Sequence, residues 1–381
     1  MKHALLIVCT LFIATLATTA QPTLATADEE IAAIMAKYEA IGVSIAVVKD
    51  NEITYNQSFG FRNLATREPL ENDDIFRIAS VSKSFVTTSL MQLVEAGKLS
   101  LDDDVGKLIG FPIRNPNFPD KVITLRMILS HTSSINDKNG YFTLDAFNPT
   151  VSDDWANAYN DYAPGAGYEY CNLNLNLAGA ILEKHSSERF DKYIHKHIIE
   201  PLGLYAGYNA DELDSSRFAM LYAYDAAGKK FIASPEAYRS PAPLMKDYQI
   251  GYSAPVFSPT GGMKISAADL ARYMMMHMNY GEVNGTRIIS EASSRAMQTV
   301  ITPETGYGMT LRTIDYLVPG KKMTGHEGVA YGLYSAMYFQ PEEKFGMVVI
   351  TSGSSTGYTH GDVINDFLLE MYGCLYRHFI Q

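Results

Sequence analysis

Ser80 and Lys83 stand three residues apart, at the start of a segment whose apolar residues recur at helical spacing. On a helix, residues three apart lie one above the other, so the amine is expected beside the hydroxyl. A serine becomes an effective nucleophile when a neighbour accepts its proton, and an amine shielded from water can do so. The pair therefore predicts nucleophilic catalysis through Ser80. Its alternative is a Ser-x-x-Lys that occurs by chance in a chain this long.

A second group of polar residues is Tyr170-Cys171-Asn172, which follows the turn at Pro164-Gly165 and precedes a helical pattern. The phenol of Tyr170 could relay protons if it lies near Lys83. The amide of Asn172 could exchange hydrogen bonds with a substrate amide. A packed tyrosine beside a capping asparagine is the structural alternative, and Cys171 is interpreted as a small packing residue.

A third group, His326-Glu327-Gly328-Val329, lies in a segment with strand character. A glycine in a strand lets another group approach the backbone, here a ligand. The N–H groups of Ser80 and Val329 could together form an oxyanion hole, which is typically a large term in acyl transfer. His326 is either a cleft residue or a satisfied structural histidine. The His-Glu pair is not the zinc helix motif, because residue 330 is alanine.

In this order, the three groups resemble the motifs of the serine β-lactamase and penicillin-binding protein superfamily, in particular its class C-like branch. Ser80-Val81-Ser82-Lys83 is similar to Ser-x-x-Lys, Tyr170-Cys171-Asn172 to Tyr-x-Asn, and His326-Glu327-Gly328 to the His-x-Gly variant of Lys-Thr-Gly. The resemblance covers nearly the whole chain after residue 27. It includes six stretches without assigned chemistry, which are Leu101–Val105, Ile123–Arg126, Ser130–Ser133, Pro201–Leu204, Gly261-Gly262 and Asp269–Arg272.

The resemblance implies an exported serine hydrolase that forms an acyl-enzyme on Ser80. Its substrates would be D-amino-acid peptides, as for a D,D-peptidase or D-aminopeptidase, or small esters. It implies no metal or organic cofactor, and His131 is expected to be a scaffold residue. A class C-like β-lactamase and a non-catalytic penicillin-binding sensor are the alternatives.

Two departures from the family pattern bear on the substrate. His326 stands where class C β-lactamases have lysine, which argues against efficient β-lactam turnover. Glu327 stands where threonine, serine or glycine is usual, so a carboxylate in the cleft would repel an anionic substrate and attract an amine.

Gly353-Ser354-Ser355-Thr356-Gly357 matches Gly-x-Ser-x-Gly and offers a rival nucleophile in Ser355. An α/β-hydrolase elbow needs an acid and a histidine later in the chain. Here Asp362 or Asp366 with His378 would have to serve, with no further sheet. The stretch is therefore interpreted as a glycine-serine loop.

The bulk composition excludes some partners. Lys and Arg total 31 against 42 Asp and Glu, a net charge of -11, which argues against nucleic acid or an anionic membrane as partner. Residues 1–27 read as a signal peptide, with cleavage after Ala20 or Ala27, and no later segment is long and apolar enough to span a bilayer. The oligomeric state stays open.

The order of predicted elements indicates an α+β fold with two lobes. Helical patterns fill the middle of the chain, and strand patterns return near both ends, at 43–48 and 53–59 and again at 332–339 and 345–351. We therefore expect one antiparallel sheet, flanked by helices and built from residues 28–75 and 290–381. An all-helical lobe of residues 76–289 is inserted between them, with the cleft where the lobes meet.

Overall fold

The computed structural model describes residues 24–359 and 363–381. Nine α-helices lie in these ranges: α1 (Leu24–Lys37), α2 (Lys83–Glu95), α3 (Val105–Ile109), α4 (Leu125–Leu129), α5 (Asn172–Ser186), α6 (Phe190–Ile194), α7 (Ala267–Met278), α8 (Glu291–Gln298) and α9 (Asp366–Leu375). Almost all of the signal peptide expected over residues 1–27 lies outside the described residues. The last four residues of that segment, 24–27, belong to the start of helix α1.

The strands of the main sheet are β1 (Gly42–Lys49), β2 (Glu52–Asn63), β3 (Glu68–Pro69), β11 (Arg312–Val318), β12 (Lys321–Ala330), β13 (Leu333–Gln340) and β14 (Phe345–Thr351). They form an antiparallel sheet in the order β11-β12-β13-β14-β1-β2-β3. Strands β1 and β14 meet in its interior, where Val43 pairs with Thr351 and Lys49 with Phe345. The expectation that both ends of the chain build one antiparallel sheet is confirmed.

Both faces of this sheet are apolar, because the inner strands are buried on each side. In β1, Val43, Ile45 and Val47 point towards a core shared with α1 and α9. The alternate residues Ala46 and Val48 point to a second core formed with the inserted helices. Successive side chains of a strand point to opposite faces, so a strand with both faces covered contributes alternate side chains to the two cores.

The inserted region is not all helical, which corrects the expected description. It also holds the short strands β4 (Phe76–Arg77), β5 (Ala206–Gly207), β6 (Tyr222–Asp225), β7 (Lys230–Ala233), β8 (Lys264–Ile265), β9 (Glu282–Val283) and β10 (Thr286–Arg287). Strands β4, β8 and β5 form one small sheet, and β6 with β7 and β9 with β10 form two hairpins. Strands of two residues have no alternation that a sequence pattern can reveal.

The expected boundary between the lobes also needs correction at α7, which was assigned to the helical lobe. This helix packs on the main sheet: a Cβ built on Gly346 of β14 would lie 2.6 Å from the terminal methyl carbon of Met274. The glycine thus lets the helix approach the strand. Helix α7 is therefore part of the layer that covers the sheet.

Two further features concern the described ranges as a whole. Within residues 24–359 and 363–381, no helix combines the length and apolar character that crossing a bilayer requires. Cys171 and Cys374 are both buried with free thiols. The described fold is therefore held by its cores rather than by a disulfide between these two residues.

Candidate active site

Ser80 lies in a single 3-10 turn, Ala79–Ser82, that leads directly into α2. Ala79 has a φ of +48°, a left-handed conformation that turns the chain sharply after β4. Ser80 is partly exposed at the floor of a cleft of about 1000 Å³. Its N–H belongs to the first turn of a helix, where backbone donors have no intrahelical partner.

Lys83 is fully buried and is the first residue of α2. Its Nζ lies 2.8 Å from Ser80 Oγ, 3.0 Å from Asn172 Oδ1 and 2.9 Å from the carbonyl oxygen of Thr260. Burial lowers the pKa of Lys83 to about 7, even though the negative charges of Asp137 and Glu327 act in the opposite direction. A large fraction of this lysine is therefore a neutral amine near pH 7, as a proton acceptor must be.

Tyr170 lies beside both groups. Lys83 Nζ is 4.8 Å from the centroid of its ring. Burial raises the pKa of Tyr170 well above its usual value, although the Ser80 hydroxyl acts in the opposite direction. Tyr170 is thus a neutral phenol near pH 7, able to donate a proton but not to act as a phenolate base.

Asn172 is the first residue of α5, and its amide bridges the two sides of the site. Its Oδ1 accepts from Lys83 and, at 2.7 Å, from Thr260 Oγ1. Its Nδ2 donates to Asp137 at 3.0 Å. The expected bond to a substrate amide must therefore use the remaining N–H of Nδ2, because the carbonyl oxygen already has two protein donors.

His131 has the scaffold position expected of it. The ring is fully buried, and its Nδ1 accepts the backbone N–H of Cys171 at 3.1 Å. Its centroid lies 4.4 Å from that of Tyr170. Burial, followed by the charge of Lys83, lowers the pKa of His131 well below its usual value, so the ring is neutral and supports Tyr170 by packing.

Strand β12 presents a free edge to Ser80. Strand β11 pairs with β12 through Gly325 but not along residues 326–330. On the other side, Ala330 and Leu333 flank a two-residue loop with φ of 56° at Tyr331 and 85° at Gly332, a type I′ hairpin. The Val329–Tyr334 pair is therefore a non-hydrogen-bonded one, and the Val329 N–H points away from β13 towards the Ser80 turn. This orientation supports the expected oxyanion hole.

Gly328 packs against the Ser80 turn itself rather than against a ligand, which corrects the expected role. A Cβ at this residue would lie 2.4 Å from the carbonyl oxygen of Ile78 and 3.0 Å from the nitrogen of Ser80. The missing side chain allows the strand and the turn to touch. Gly328 therefore sets the distance between the two backbone donors.

His326 does not line the cleft, which corrects its interpretation as a substrate-binding cleft residue and agrees with the alternative of a structural histidine. The side chain is fully buried behind Tyr170, with 6.2 Å between the ring centroids. Its Nδ1 donates to the carbonyl oxygen of Glu327, and its Nε2 accepts from the hydroxyl of Tyr307 at 3.0 Å. Burial lowers the pKa of His326 to about 4, so this ring is neutral. Strand alternation explains the placement, because His326 and Glu327 point to opposite faces.

Glu327 does line the cleft, with its carboxylate turned towards the protein. Its Oε2 accepts from the Tyr338 hydroxyl at 2.6 Å, and its Oε1 lies 3.7 Å from Arg312 Nη1. Burial acts to raise the pKa of Glu327. Its interaction with the neighbouring His326, the charge of Arg312 and the hydrogen bond from Tyr338 outweigh burial, so the pKa of Glu327 is lowered and the carboxyl is ionised near pH 7. Arg312 in turn has an Nε without a partner among the described residues.

Sequence reasoning missed Asp137, Thr260 and Arg312. Thr260 directly precedes the Gly261-Gly262 pair, which had been noted without a role. Arg312 reaches the site through the register that pairs it with Gly325. No spacing in the sequence could have identified Asp137, since the contact joins a loop to the start of α5.

The cleft is rich in aromatic side chains. Seven aromatic residues line it: Tyr141, Phe142, Tyr168, Tyr170, Tyr316, Tyr331 and Tyr358. Four charged residues, two of each sign, also line it: Arg77, Arg312, Glu304 and Glu327. Such a cavity is suited to a neutral substrate with an apolar or aromatic group.

The rival nucleophile does not form a catalytic group. The hydroxyl of Ser355 donates to the carbonyl oxygen of Tyr38 at 3.1 Å, and no histidine in the described ranges is hydrogen-bonded to it. His378 is paired instead with Glu30 at 2.8 Å. Asp362 lies outside the described residues. Ser355 is thus a loop residue, as the sequence indicated.

Within the described ranges, Glu30, Cys374 and His378 form a group of possible metal ligands, whose ligand atoms lie within 4.8 Å of one another. The carboxylate oxygens of Glu30 are already paired with Arg377 and His378. The group joins α1 to the end of the chain, on the sheet face away from Lys83. It therefore has no part in the Ser80 site.

Comparisons with known proteins agree with this geometry. Residues 27–369 match the family model described as Beta-lactamase. Penicillin-binding protein 4 of Amycolatopsis lactamdurans is 27% identical over 91% of this chain and 90% of its own. Protein flp of Staphylococcus aureus is 22% identical over 82% of this chain, which spans 60% of the flp chain.

Solved structures give the same picture. The octameric penicillin-binding protein homologue from Pyrococcus abyssi aligns with a TM-score of 0.72 and 27% identity, covering 92% of this chain and 76% of that one. D-amino acid amidase from Ochrobactrum anthropi SV3, complexed with L-phenylalanine amide, aligns with a TM-score of 0.70 at 22% identity, covering 92% and 97%. The latter likeness shows the fold.

Proposed function

Since this chain belongs to the β-lactamase family and is a serine hydrolase, we propose that it cleaves D-amino-acid peptides, amides or small esters through an acyl-enzyme on Ser80. One observation carries the mechanism. The Lys83 amine faces two groups that only accept hydrogen bonds, Asn172 Oδ1 and the Thr260 carbonyl oxygen. A neutral amine has two N–H groups, and these acceptors use both. Its lone pair is then left for the hydroxyl proton of Ser80.

In the first step, Ser80 Oγ attacks the substrate carbonyl carbon while its proton passes to Lys83 Nζ. The carbonyl oxygen becomes an oxyanion between the N–H groups of Ser80 and Val329. The bond to the leaving group breaks as that group takes a proton from Tyr170 or Lys83. Water then attacks the carbonyl carbon of the acyl-enzyme ester and gives one proton to the Lys83 and Tyr170 pair. The bond to Ser80 Oγ breaks as this pair passes a proton to that oxygen, which releases the acid product.

The substrate class is proposed from the charges and rings of the cleft. Glu327 is ionised beside the predicted oxyanion donor Val329, and it neutralises Arg312, so a substrate carboxylate meets no free cation there. Neutral esters and amine-bearing D-amino-acid derivatives avoid this repulsion. The aromatic walls favour an apolar group on either side of the scissile bond. The D-amino acid amidase likeness supports this choice.

A location outside the cytoplasm is part of the same proposal. It is supported by the charged and then apolar sequence of residues 1–27, which is typical of a signal peptide. D-amino-acid peptides of the cell-wall type would be met there. Mass spectrometry of the protein isolated from its host would test it, and a retained Met1 would contradict it.

A substrate panel tests the proposed function. It compares kcat/KM for p-nitrophenyl esters, D-amino-acid p-nitroanilides, D-Ala-D-Ala peptides and nitrocefin, with Ser80→Ala as the inactive control and Ser355→Ala as the matched serine variant. We expect neutral esters or D-amino-acid anilides to be cleaved best, and only Ser80→Ala to lose activity and fluorophosphonate labelling. Nitrocefin turnover near the diffusion limit would make the protein a β-lactamase. Acylation without any turnover would make it a penicillin-binding sensor.

A further inference from the structure

We propose that Asp137 is a positioning residue of this site, which fixes the amide of Asn172 with its oxygen towards Lys83. The inference rests on the proposed role of Lys83 as proton acceptor. It concerns a residue outside the three sequence motifs, on the loop between α4 and α5.

The carboxylate of Asp137 accepts four hydrogen bonds from three consecutive residues. Its Oδ2 accepts from the backbone N of Asn172 at 2.8 Å and from Asn172 Nδ2 at 3.0 Å. Its Oδ1 accepts from the backbone N of Leu173 at 2.9 Å and from Cys171 Sγ at 3.1 Å. The first turn of α5 and the Asn172 side chain are thus held by one group.

This contact selects one of the two orientations of the amide. A carboxylate only accepts hydrogen bonds, so the end of the amide that faces Asp137 must be Nδ2. The other end, Oδ1, then accepts from Lys83 and from Thr260 Oγ1. A flipped amide would aim its NH₂ at the Lys83 amine and compete with Ser80 for the lone pair.

Asp137 is itself held in place by its neighbours along the chain. The backbone N of Asn136 donates to the carbonyl oxygen of Ala158 at 2.8 Å, and that of Gly140 donates to the carbonyl oxygen of Asp137 at 2.8 Å. The Asn136 side chain is buried and donates to Asn160 Oδ1 at 3.0 Å. The carboxylate therefore acts from a fixed position.

The charge of Asp137 adds a second effect on Lys83. It works against the burial that lowers the lysine pKa, as does the charge of Glu327. The other titratable groups around the amine are Tyr170 and the rings of His131 and His326, which are neutral near pH 7. Removal of the Asp137 charge is therefore expected to lower the Lys83 pKa further.

Asp137→Asn tests the proposal. Cys171→Ala is the matched control, because it removes one of the four hydrogen bonds to Asp137 and leaves both bonds from Asn172 in place. We expect Asp137→Asn to lower kcat at the pH plateau roughly tenfold or more with little change in KM. The acid limb of kcat/KM should move to lower pH by about half a unit to one unit. Cys171→Ala should keep both the plateau and the limb.

Asp137→Glu separates position from charge, and it decides the question if Asp137→Asn yields no folded protein. It should lower the plateau but keep the acid limb of the wild type, because the charge stays while the geometry changes. Active sites are counted by fluorophosphonate titration, so a variant that merely folds poorly loses sites and not kcat. A wild-type plateau in either variant overturns the proposal. If Lys83→Ala is also fully active, the proposed function fails instead.

Discussion

Gly328 and Ser80 are in backbone contact across the cleft, so closely that a Cβ on the glycine would lie 3.0 Å from the serine nitrogen. The contact joins the edge of the main sheet to the turn that begins α2. Because the Val329 N–H points to the same side, the two proposed oxyanion donors belong to different lobes and are aligned by this packing. The oxyanion hole is therefore expected to respond to any change in how the sheet edge meets the turn.

Gly328→Ala should lower both activity and stability. The new Cβ would meet the carbonyl oxygen of Ile78 at 2.4 Å and Ser335 Oγ at 2.6 Å, so the strand and the turn must move apart. Overpacking of this kind costs about 1–3 kcal/mol, and the separated donors should reduce kcat more than they raise KM. Gly207→Ala is the control, since its nearest atom would be 3.6 Å away. A normal kcat in Gly328→Ala would contradict the proposed oxyanion geometry.

The pH dependence should report the ionisation of Lys83. Its burial lowers the pKa to about 7, and only the neutral amine can accept the Ser80 proton. With a neutral ester as substrate, kcat/KM should rise with pH, with a midpoint near 7, and stay high above it because Tyr170 titrates much later. Lys83→Ala should lose activity by orders of magnitude over the whole range. A flat acid limb in the wild type would remove Lys83 as the base.

The motifs that carry chemistry were identifiable from the sequence because each combines a helix or strand signal with a distinctive local spacing. Ser80 and Lys83 are joined by helical geometry, and Asn172 by its place at a helix start. The structure brings all of these to one cleft. The prediction of the superfamily and of the sheet built from both chain ends is confirmed.

What the sequence left open depends on contacts between distant segments. The side to which His326 points follows from the strand register, and the sequence gives no register for β12. The contact of Asp137 with Asn172 arises where a loop meets the start of α5. The same holds for Arg312 and Glu327, which become neighbours through pairing of β11 with β12. Local patterns carry no information on such pairs.

His277 makes the fold sensitive to acid. The ring is fully buried in α7 next to Tyr273 and Phe339, and neither nitrogen has a partner among the described residues. Burial lowers its pKa from 6.5 to about 3. The unfolded chain therefore binds a proton that the folded one does not, and stability falls as the pH drops from about 6.5 towards 3.

His277→Leu should remove this contribution to acid sensitivity. Its gain in the free energy of unfolding, relative to wild type, should be about 2 kcal/mol larger at pH 5 than at pH 8. Urea unfolding at the two pH values measures the difference. His195→Leu, at an exposed residue, is the control and should show a much smaller change. An equal gain at both pH values would mean that His277 is not the group that titrates.

Substrate choice should depend on the pair of Glu327 and Arg312. The Glu327 carboxylate lies 3.7 Å from the Arg312 guanidinium. It therefore neutralises the positive charge that would otherwise bind a substrate carboxylate. Glu327→Gln keeps the shape and the acceptor for the Tyr338 hydroxyl, but it leaves Arg312 with a free charge facing the cleft. We therefore expect kcat/KM for nitrocefin, an anion, to rise roughly tenfold relative to a neutral p-nitrophenyl ester, since an opposite charge in a partly buried site contributes a kcal/mol or more.

Glu304→Gln, another acid of the cleft, is the matched control. The gain should disappear in a Glu327→Gln, Arg312→Gln double variant. A ratio that stays unchanged in Glu327→Gln would show that this ion pair does not select the substrate.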